Sequence, residues 1–231
     1  NYTEVDSFIA KCNPSMVFNL SGPSSVYKSL SLNTNYESII EKIFTNLTDA
    51  LIKNDLYPNF YQASSSEMFE DSSTNSLNEK SPFAPRSPYA IAKYNIHKKV
   101  IDFNKIYNWN IVSGIMFNHE SEFRKEEYLF IKIIDSCIEI KKGNKKNLVI
   151  GSLDYVRDWS YAKDVVNSIY EITNNFKNSV YVIGSGNGTK IKDVVEKAFT
   201  YLDLDYKKYI KIDKSLLRKD DPLSIVSNPI N

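Results

Sequence analysis

The sequence predicts a doubly wound α/β fold built on a parallel sheet, and three observations support this prediction. Short apolar segments with strand character alternate along the chain with single amphipathic helices. Strands separated by single helices are typical of parallel pairing through crossover connections. At 231 residues, of which 42% are hydrophobic, the chain can bury one substantial core or two small ones.

The first predicted elements are the end of a helix, a strand, a long helix and a second strand. Residues 6–12 indicate the end of a helix, and residues 16–20 form a compact apolar strand before the turn at residues 21–25. Amphipathic spacing predicts a helix over residues 35–56. Residues 59–64 predict a second, buried strand.

A Ser-, Asn- and Pro-rich loop at residues 70–86 leads into the central helix. Ser87 is the predicted N-cap and Pro88 the first helical residue, because proline lacks the N–H that the first turn leaves unpaired. This helix is expected to end near Tyr107. Beyond it, strands are expected at residues 110–117, 147–150 and 180–183, and helices at residues 128–141 and 164–173.

Polar segments follow three of the predicted strands, at residues 21–25, 64–67 and 118–121. In doubly wound sheets, ligands bind beyond the carboxyl ends of the strands. We therefore expect these three segments to line a binding site.

Composition excludes several classes of protein. Lys and Arg total 29 and Asp and Glu total 28, so a net charge of +1 gives no general attraction to nucleic acid or acidic membranes. Cys12 and Cys137 lie far apart without metal-ligand spacing, which disfavours a disulfide scaffold or a metal site. No apolar run reaches the roughly 18 residues of a membrane span. We expect a cytoplasmic protein without nucleic-acid or membrane partners.

The glycine cluster from Gly184 to Lys190 follows a predicted strand, where a phosphate-binding loop would stand. Thr189 occupies the position that the dinucleotide-binding motif reserves for glycine, and the P-loop spacing is not met either. We interpret the segment as a strand-to-helix turn with Thr189 as the N-cap.

Tyr89 and Lys93 are the most informative pair in the sequence. Residues four apart share one face of a helix, so the phenol and the ammonium are expected to point the same way. A nearby cation favours the phenolate and makes a tyrosine usable as a general base. This spacing recurs by chance in a chain with 16 Tyr, and its meaning depends on the neighbouring segments.

Four segments resemble the GDP-mannose 4,6-dehydratases, which are extended members of the short-chain dehydrogenase/reductase superfamily. They are residues 60–67, 82–93, 114–121 and 151–159. The resemblance implies a Rossmann-like sheet with a smaller C-terminal substrate-binding region. Residues 1–117 would form part of a dinucleotide-binding domain, and residues 118–231 would mainly bind the sugar nucleotide and return in places to the Rossmann core.

The resemblance also implies an NADP-dependent reaction on a GDP-sugar. The sugar is oxidised at C4, loses water across C5 and C6, and regains the hydride at C6. Tyr89 would remove the O4 proton, and Lys93 would bind the nicotinamide ribose and lower the pKa of Tyr89. Glu67 would take the C5 proton, and Ser65, where the family has threonine, would bond O4.

Further binding residues follow from the same resemblance. The residues expected at the NADP are Tyr89, Lys93, Ser64, Asn118, His119 and Arg124. Those expected at the substrate are Ser24, Asn118, Lys132, Arg157, Arg218 and Asp221. The helices near residues 35–56 and 87–107 are expected to form the contact of a homodimer or homotetramer.

Departures from the family pattern keep other hypotheses open. Nothing in the sequence corresponds to the family's first strand and Gly-rich turn, so we expect a piece of a longer protein. Pro23, Ser65 and Asp221 replace the usual residues. One alternative is a degenerate, non-catalytic homologue with a structural or assembly role. Another is a related GDP-sugar epimerase or reductase, although neither reaction needs Glu67 for elimination at C5.

Overall fold

The computed structural model describes residues 1–31, 35–70, 76–218 and 221–231. Its strands, in chain order, are β1 (Met16–Asn19), β2 (Asn59–Ser65), β3 (Ile111–Met116), β4 (Asn118–Glu120), β5 (Leu148–Ile150), β6 (Val156–Tyr161), β7 (Val180–Ile183), β8 (Gly188–Lys190), β9 (Ile210–Ile212) and β10 (Ser224–Ile225). Its α-helices are α1 (Tyr2–Cys12), α2 (Val26–Ser31), α3 (Tyr36–Lys53), α4 (Pro88–Tyr107), α5 (Leu129–Lys141), α6 (Ala162–Asn174) and α7 (Ile191–Tyr201).

The central sheet is parallel and has the strand order β1-β2-β3-β7. Successive residues of β2 point to opposite faces. Phe60 packs with α3 and α4 on one face, whereas Tyr61 packs with Val165 and Ile169 of α6 on the other. A parallel sheet covered on both faces confirms the predicted fold class.

Gly114 in β3 allows this packing, because a Cβ at that position would overlap the ring of Tyr61 in the neighbouring strand. The sheet is therefore closely packed at its centre. Its carboxyl ends present the segments that follow β1, β2 and β3.

A second group of elements lies C-terminal to β3. Strands β4, β6 and β10 pair in parallel and β8 pairs antiparallel with β6, while β5 pairs with β9. Helices α5 and α7 enclose a separate core that includes Ile133, Leu148 and Phe199. Strand β7 comes from this part of the chain but joins the central sheet.

Most predicted elements are present, with some differences. Helix α4 begins as predicted, with the Ser87 hydroxyl accepting from the Ala90 N–H at 3.1 Å. Helix α3 ends at Lys53 rather than near residue 56, because the backbone at Asp55 turns left-handed. Residues 71–75 of the predicted loop lie outside the described residues.

Other differences come from long-range pairing. Helix α2 and strands β4, β6, β8, β9 and β10 were not predicted. Thr189 is not the N-cap of the following helix, since it lies in β8 opposite Arg157 of β6, and Lys190 takes the N-cap position of α7. Pairing with β6 therefore holds Thr189 in an extended backbone conformation, although the local sequence favoured a helix N-cap there.

Within the described ranges, no helix is long and apolar enough to cross a membrane. The same residues contain no group of three or more His, Cys, Asp or Glu side chains placed to hold a metal ion.

Candidate active site

Helix α4 positions Tyr89 and Lys93 at the carboxyl end of β2. Both side chains are buried, and the Lys93 ammonium lies 5.8 Å from the centroid of the Tyr89 ring. Lys93 Nζ donates to the carbonyl oxygen of Ala63 in β2 at 2.8 Å. The spacing of four residues therefore places both side chains on one face of α4, which packs against the end of β2.

The segment after β2 brings Ser65 and Glu67 to the same place. Ser65 caps a short 3₁₀ helix (Ser66–Met68), and its hydroxyl accepts from the Glu67 N–H at 3.3 Å. The Ser65 side chain also acts on the Tyr89 phenol, whose pKa it lowers. We call Ser65, Glu67, Tyr89 and Lys93 the catalytic edge.

Burial dominates the electrostatics of the catalytic edge. It raises the pKa of Tyr89 to about 12, an effect opposed by the hydrogen bond from Ser65 and by the more distant Arg124 guanidinium. Burial lowers the pKa of the Lys93 ammonium to about 8. Lys93 is not among the groups that shift the Tyr89 pKa in this arrangement, in which its ammonium is directed at the Ala63 carbonyl. The lowering of the Tyr89 pKa by Lys93 stays a prediction.

A network of ion pairs joins Glu67 to residues far along the chain. Arg218 donates to the Glu67 carboxylate at 3.2 Å and to the Asp221 carboxylate at 2.7 Å. Asp221 also accepts from Arg157 at 3.0 Å. We call Glu67, Arg157, Arg218 and Asp221 the charge cluster. The three residues predicted to bind substrate in this part of the chain thus lie together, and their contact with Glu67 was not predicted.

Arg157 is the most buried member of the charge cluster, at 8% exposure. Burial lowers the pKa of its guanidinium, against the attraction of Asp221. The side chain also donates to the carbonyl oxygens of Val156 and Pro222, at 2.8 and 3.0 Å. Its position is therefore fixed by the backbone as well as by Asp221.

A cavity of about 210 Å³ opens beside the charge cluster. One wall is apolar and comes from α2, through Val26 and Leu30. The opposite wall carries the charged side chains of Glu67, Arg218 and Asp221. A cavity with one apolar wall and a few convergent polar groups is typical of a small-molecule site.

Ser24 contacts the segment before α5. Its hydroxyl lies 2.8 Å from the hydroxyl of Tyr128, and Lys28 pairs with Glu127 at 2.7 Å beside it. The Arg124 guanidinium lies 3.6 Å from the centroid of the Tyr128 ring. Sequence reasoning missed Tyr128, because its partner stands 104 residues away and no local pattern links them.

The remaining predicted residues join neither group, since Ser64, Asn118 and His119 lie near strand ends and Lys132 lies in α5. The Ser64 hydroxyl donates to the Met68 sulfur at 3.6 Å, and His119 Nδ1 lies 3.0 Å from the Phe117 carbonyl oxygen. Among the described residues, the side chains of Asn118 and Lys132 have no hydrogen-bond partner. Burial, helped by Lys145, lowers the pKa of Lys132.

The glycine cluster is occupied by a side chain of the protein itself. The buried Asp158 carboxylate accepts from the backbone N–H groups of Ser185 and Gly186, at 2.9 and 3.0 Å, and from that of Ser227 at 3.1 Å. A phosphate would need those N–H groups and would meet a carboxylate there. The geometry agrees with a structural turn.

Comparisons with known proteins find one family and one fold. The family model described as GDP-mannose 4,6 dehydratase matches residues 1–228. GDP-mannose 4,6 dehydratase 2 of Arabidopsis thaliana is 32% identical over 209 residues, which are 89% of this chain and 56% of that protein. The chain spans about half the length of the curated relatives it matches.

Solved structures share the fold at lower identity. RMD from Pseudomonas aeruginosa, complexed with NADPH, superposes with a TM-score of 0.84 at 20% identity, over 93% of this chain and 72% of that one. DesIV, a dTDP-glucose 4,6-dehydratase from Streptomyces venezuelae with NAD and TYD bound, gives a TM-score of 0.85 at 16% identity, over 99% and 68%. These likenesses concern the fold alone.

Proposed function

We propose, from the premise that this chain belongs to the GDP-mannose 4,6-dehydratase family, that it carries the catalytic edge of an NADP-dependent 4,6-dehydratase acting on GDP-mannose. The net reaction removes one water from the sugar and leaves a 4-keto-6-deoxy sugar nucleotide. The observation that supports this most is the placement of Tyr89 and Lys93 on α4 at the end of β2, where Lys93 is bonded to Ala63 and Ser65 is bonded to the Glu67 N–H in the turn that follows.

Tyr89 and Lys93 suit the nicotinamide end of the cofactor. Lys93 uses one of its three N–H donors on the Ala63 carbonyl, which leaves two for the hydroxyls of a ribose. Ser64, Asn118, His119 and Arg124 are further candidates for cofactor contacts. When bound, a nicotinamide dinucleotide would supply reversible hydride transfer.

Tyr89 and Ser65 handle the proton of the sugar O4 hydroxyl. The phenol is buried and protonated at neutral pH, since its pKa is raised to about 12. Proton acceptance by Tyr89 therefore requires positive charge near it, and the Lys93 ammonium, 5.8 Å from the ring centroid, is the group proposed to provide it.

Glu67 handles the proton at C5, which a ketone at C4 makes acidic. Its carboxylate takes the C5 proton and passes it to the C6 hydroxyl, which leaves as water. Glu67 then delivers a proton from solvent to C5 as C6 regains the hydride that was removed from C4. Because Arg218 holds Glu67 at 3.2 Å, substrate entry must leave this contact intact or replace it.

The charge cluster and the strand ends would hold the nucleotide. Arg157 and Arg218 share the single carboxylate of Asp221 and keep guanidinium N–H donors for phosphate or ribose oxygens. Lys132 and Asn118 offer further donors, and Ser24 lies beyond β1. Residues 1–117 would thus be mainly a cofactor domain, and residues 118–231 mainly a substrate region.

Assembly as a homodimer or homotetramer is part of the same proposal. Helices α3 and α4 pack side by side on one face of the sheet, and Ile39 of α3 is 46% exposed on that layer. Two copies would join these helices in a four-helix contact.

The test is a reaction of the complete gene product with GDP-mannose and NADP in D₂O, followed by NMR. We expect a 4-keto-6-deoxy product with deuterium at C5, because Glu67 exchanges its proton with solvent. A parallel reaction with NAD tests the cofactor. Glu67→Gln should lower turnover about a hundredfold or more. The matched control is Glu196→Gln, which changes an exposed carboxylate on α7 that does not line the cavity.

Two outcomes would contradict the proposal. Binding of GDP-mannose without any product would favour the non-catalytic homologue. A product that keeps its C6 hydroxyl group would favour an epimerase or reductase.

A further inference from the structure

We propose that the paired hydroxyls of Ser24 and Tyr128 form a hydroxyl-binding subsite for the sugar, which makes Tyr128 a substrate-positioning residue. The inference rests on the proposed function, because it takes the ligand to be a sugar nucleotide. It adds a residue and a chemical role that neither the motifs nor the family resemblance supplied.

Two segments from distant parts of the chain build this pair. Ser24 stands between β1 and α2, at the carboxyl edge of the sheet, and Tyr128 stands directly before α5. Their oxygen atoms are 2.8 Å apart. The Lys28–Glu127 ion pair at 2.7 Å joins the same two segments, although an exposed pair of this kind contributes little energy.

The ring of Tyr128 is held in place on one side. The Arg124 guanidinium covers it at 3.6 Å from the ring centroid, and Arg124 Nε lies 3.3 Å from the Glu120 carboxylate. A guanidinium on an aromatic face is a favourable contact. The phenol hydroxyl is thereby presented at a defined position rather than on a freely rotating side chain.

The pair lies close to the catalytic edge. Burial raises the pKa of Tyr89 to about 12, and smaller contributions come from Tyr128, which raises it, and from Arg124, which lowers it. Strands β1 and β2 are neighbours, so the segment with Ser24 follows the strand beside the one that ends at Ser65, and Val26, two residues after Ser24, lines the same cavity as Glu67. The proposal therefore places other hydroxyls of a sugar whose O4 reaches Tyr89 at Ser24 and Tyr128.

The hydrogen-bonding capacity of the pair suits a sugar. Each hydroxyl has one donor proton and two acceptor lone pairs, and their mutual bond uses one proton and one lone pair. In the described part of the chain, neither side-chain hydroxyl has another hydrogen-bond partner. One donor and several acceptor positions remain, which complement a ligand hydroxyl that both donates and accepts.

Calorimetric titration of the complete gene product with GDP-mannose and with GDP tests the inference. Tyr128→Phe removes only the hydroxyl and keeps the ring under Arg124. We expect it to weaken GDP-mannose binding about fivefold and to leave GDP binding within about twofold. Ser24→Ala should behave alike. The double variant should lose less than the product of the two single losses, since the hydroxyls act as a pair.

Tyr170→Phe is the matched control, because Tyr170 is 55% exposed on α6. Unchanged GDP-mannose binding by Tyr128→Phe, or an equal loss for GDP and GDP-mannose, would overturn this inference and leave the proposed function standing. If the wild-type protein binds GDP but not GDP-mannose, the proposed function and this inference fall together.

Discussion

The catalytic edge and the charge cluster meet at Glu67 but are held in different ways. Tyr89 and Lys93 are buried on a capped helix packed against a parallel sheet. Arg218 and Asp221 lie outside regular helices and strands, and are held mainly by ion pairs with each other and with Arg157. Packing fixes the first region whatever binds, whereas the second can exchange its internal ion pairs for contacts with an anionic ligand.

This difference suits the two tasks. Proton transfer needs atoms held at fixed distances, and a rigid helix and strand end supply them. Recognition of a charged nucleotide needs cations that stay paired while the site awaits its ligand, because an unpaired buried charge is costly. Asp221 serves that purpose for Arg157 and Arg218.

The largest expected effect is on turnover, and it distinguishes the chemical step from substrate binding at the catalytic edge. Tyr89→Phe should reduce turnover with GDP-mannose about a thousandfold and leave the affinity nearly unchanged, because it removes the proton-accepting oxygen alone. Steady-state kinetics and titration of GDP-mannose check this. Tyr94→Phe on the same helix is the control. Equal activities of the two variants would remove Tyr89 from the mechanism.

The second effect tests how rigidly α4 is packed on the sheet. His97 is buried against Phe83 and lies 2.8 Å from the Ser113 hydroxyl, and burial lowers its pKa to about 4 from 6.5. At pH values between about 4 and 6.5, His97 is protonated in the unfolded chain but neutral in the native state. The free energy of unfolding should therefore fall by about 2–3 kcal/mol as the pH drops from 7 to 4.

Urea unfolding at pH 7 and pH 4.5 measures this dependence. His97→Gln keeps a hydrogen-bond partner for Ser113 without a titrating ring, and should lose the His97 part of the slope. If the wild type and the variant lose the same stability between the two pH values, the packing around His97 is looser than the structure indicates.

The third effect tests the charge cluster. Asp221→Asn leaves Arg157 and Arg218 side by side without their shared carboxylate and should lower the free energy of unfolding by about 1–3 kcal/mol. Asp203→Asn is the matched control, since Asp203 is 94% exposed and lies 4.0 Å from Lys141. Comparable stability of the two variants in urea would mean that the cluster does not depend on its central carboxylate.

The smallest effect concerns the start of α4. Ser87→Ala removes the hydroxyl that accepts from Ala90 and should cost about 1 kcal/mol, whereas Ser87→Asn retains a capping oxygen and most of the stability. Urea midpoints of the two variants check this. The catalytic edge should also lose some activity in Ser87→Ala, because Tyr89 stands in the first turn. If Ser87→Asn loses as much stability as Ser87→Ala, the serine itself is required and another capping oxygen cannot replace it.

The sequence by itself determined the elements whose cause is local. Apolar runs marked β1, β2, β3 and β7, and the Ser-Pro start of α4 marked its first residue. The i, i+4 spacing placed Tyr89 and Lys93 on one face. These outcomes depend on backbone geometry and burial within a few residues, which a sequence pattern records directly.

Only the tertiary structure decided what joins distant segments. The Glu67–Arg218 contact spans 151 residues, and the Ser24–Tyr128 pair spans 104. Thr189 entered a strand because β6 lay beside it, and burial raised the pKa of Tyr89. Desolvation and pairing depend on which surfaces meet in space, and no local pattern of residues contains that information.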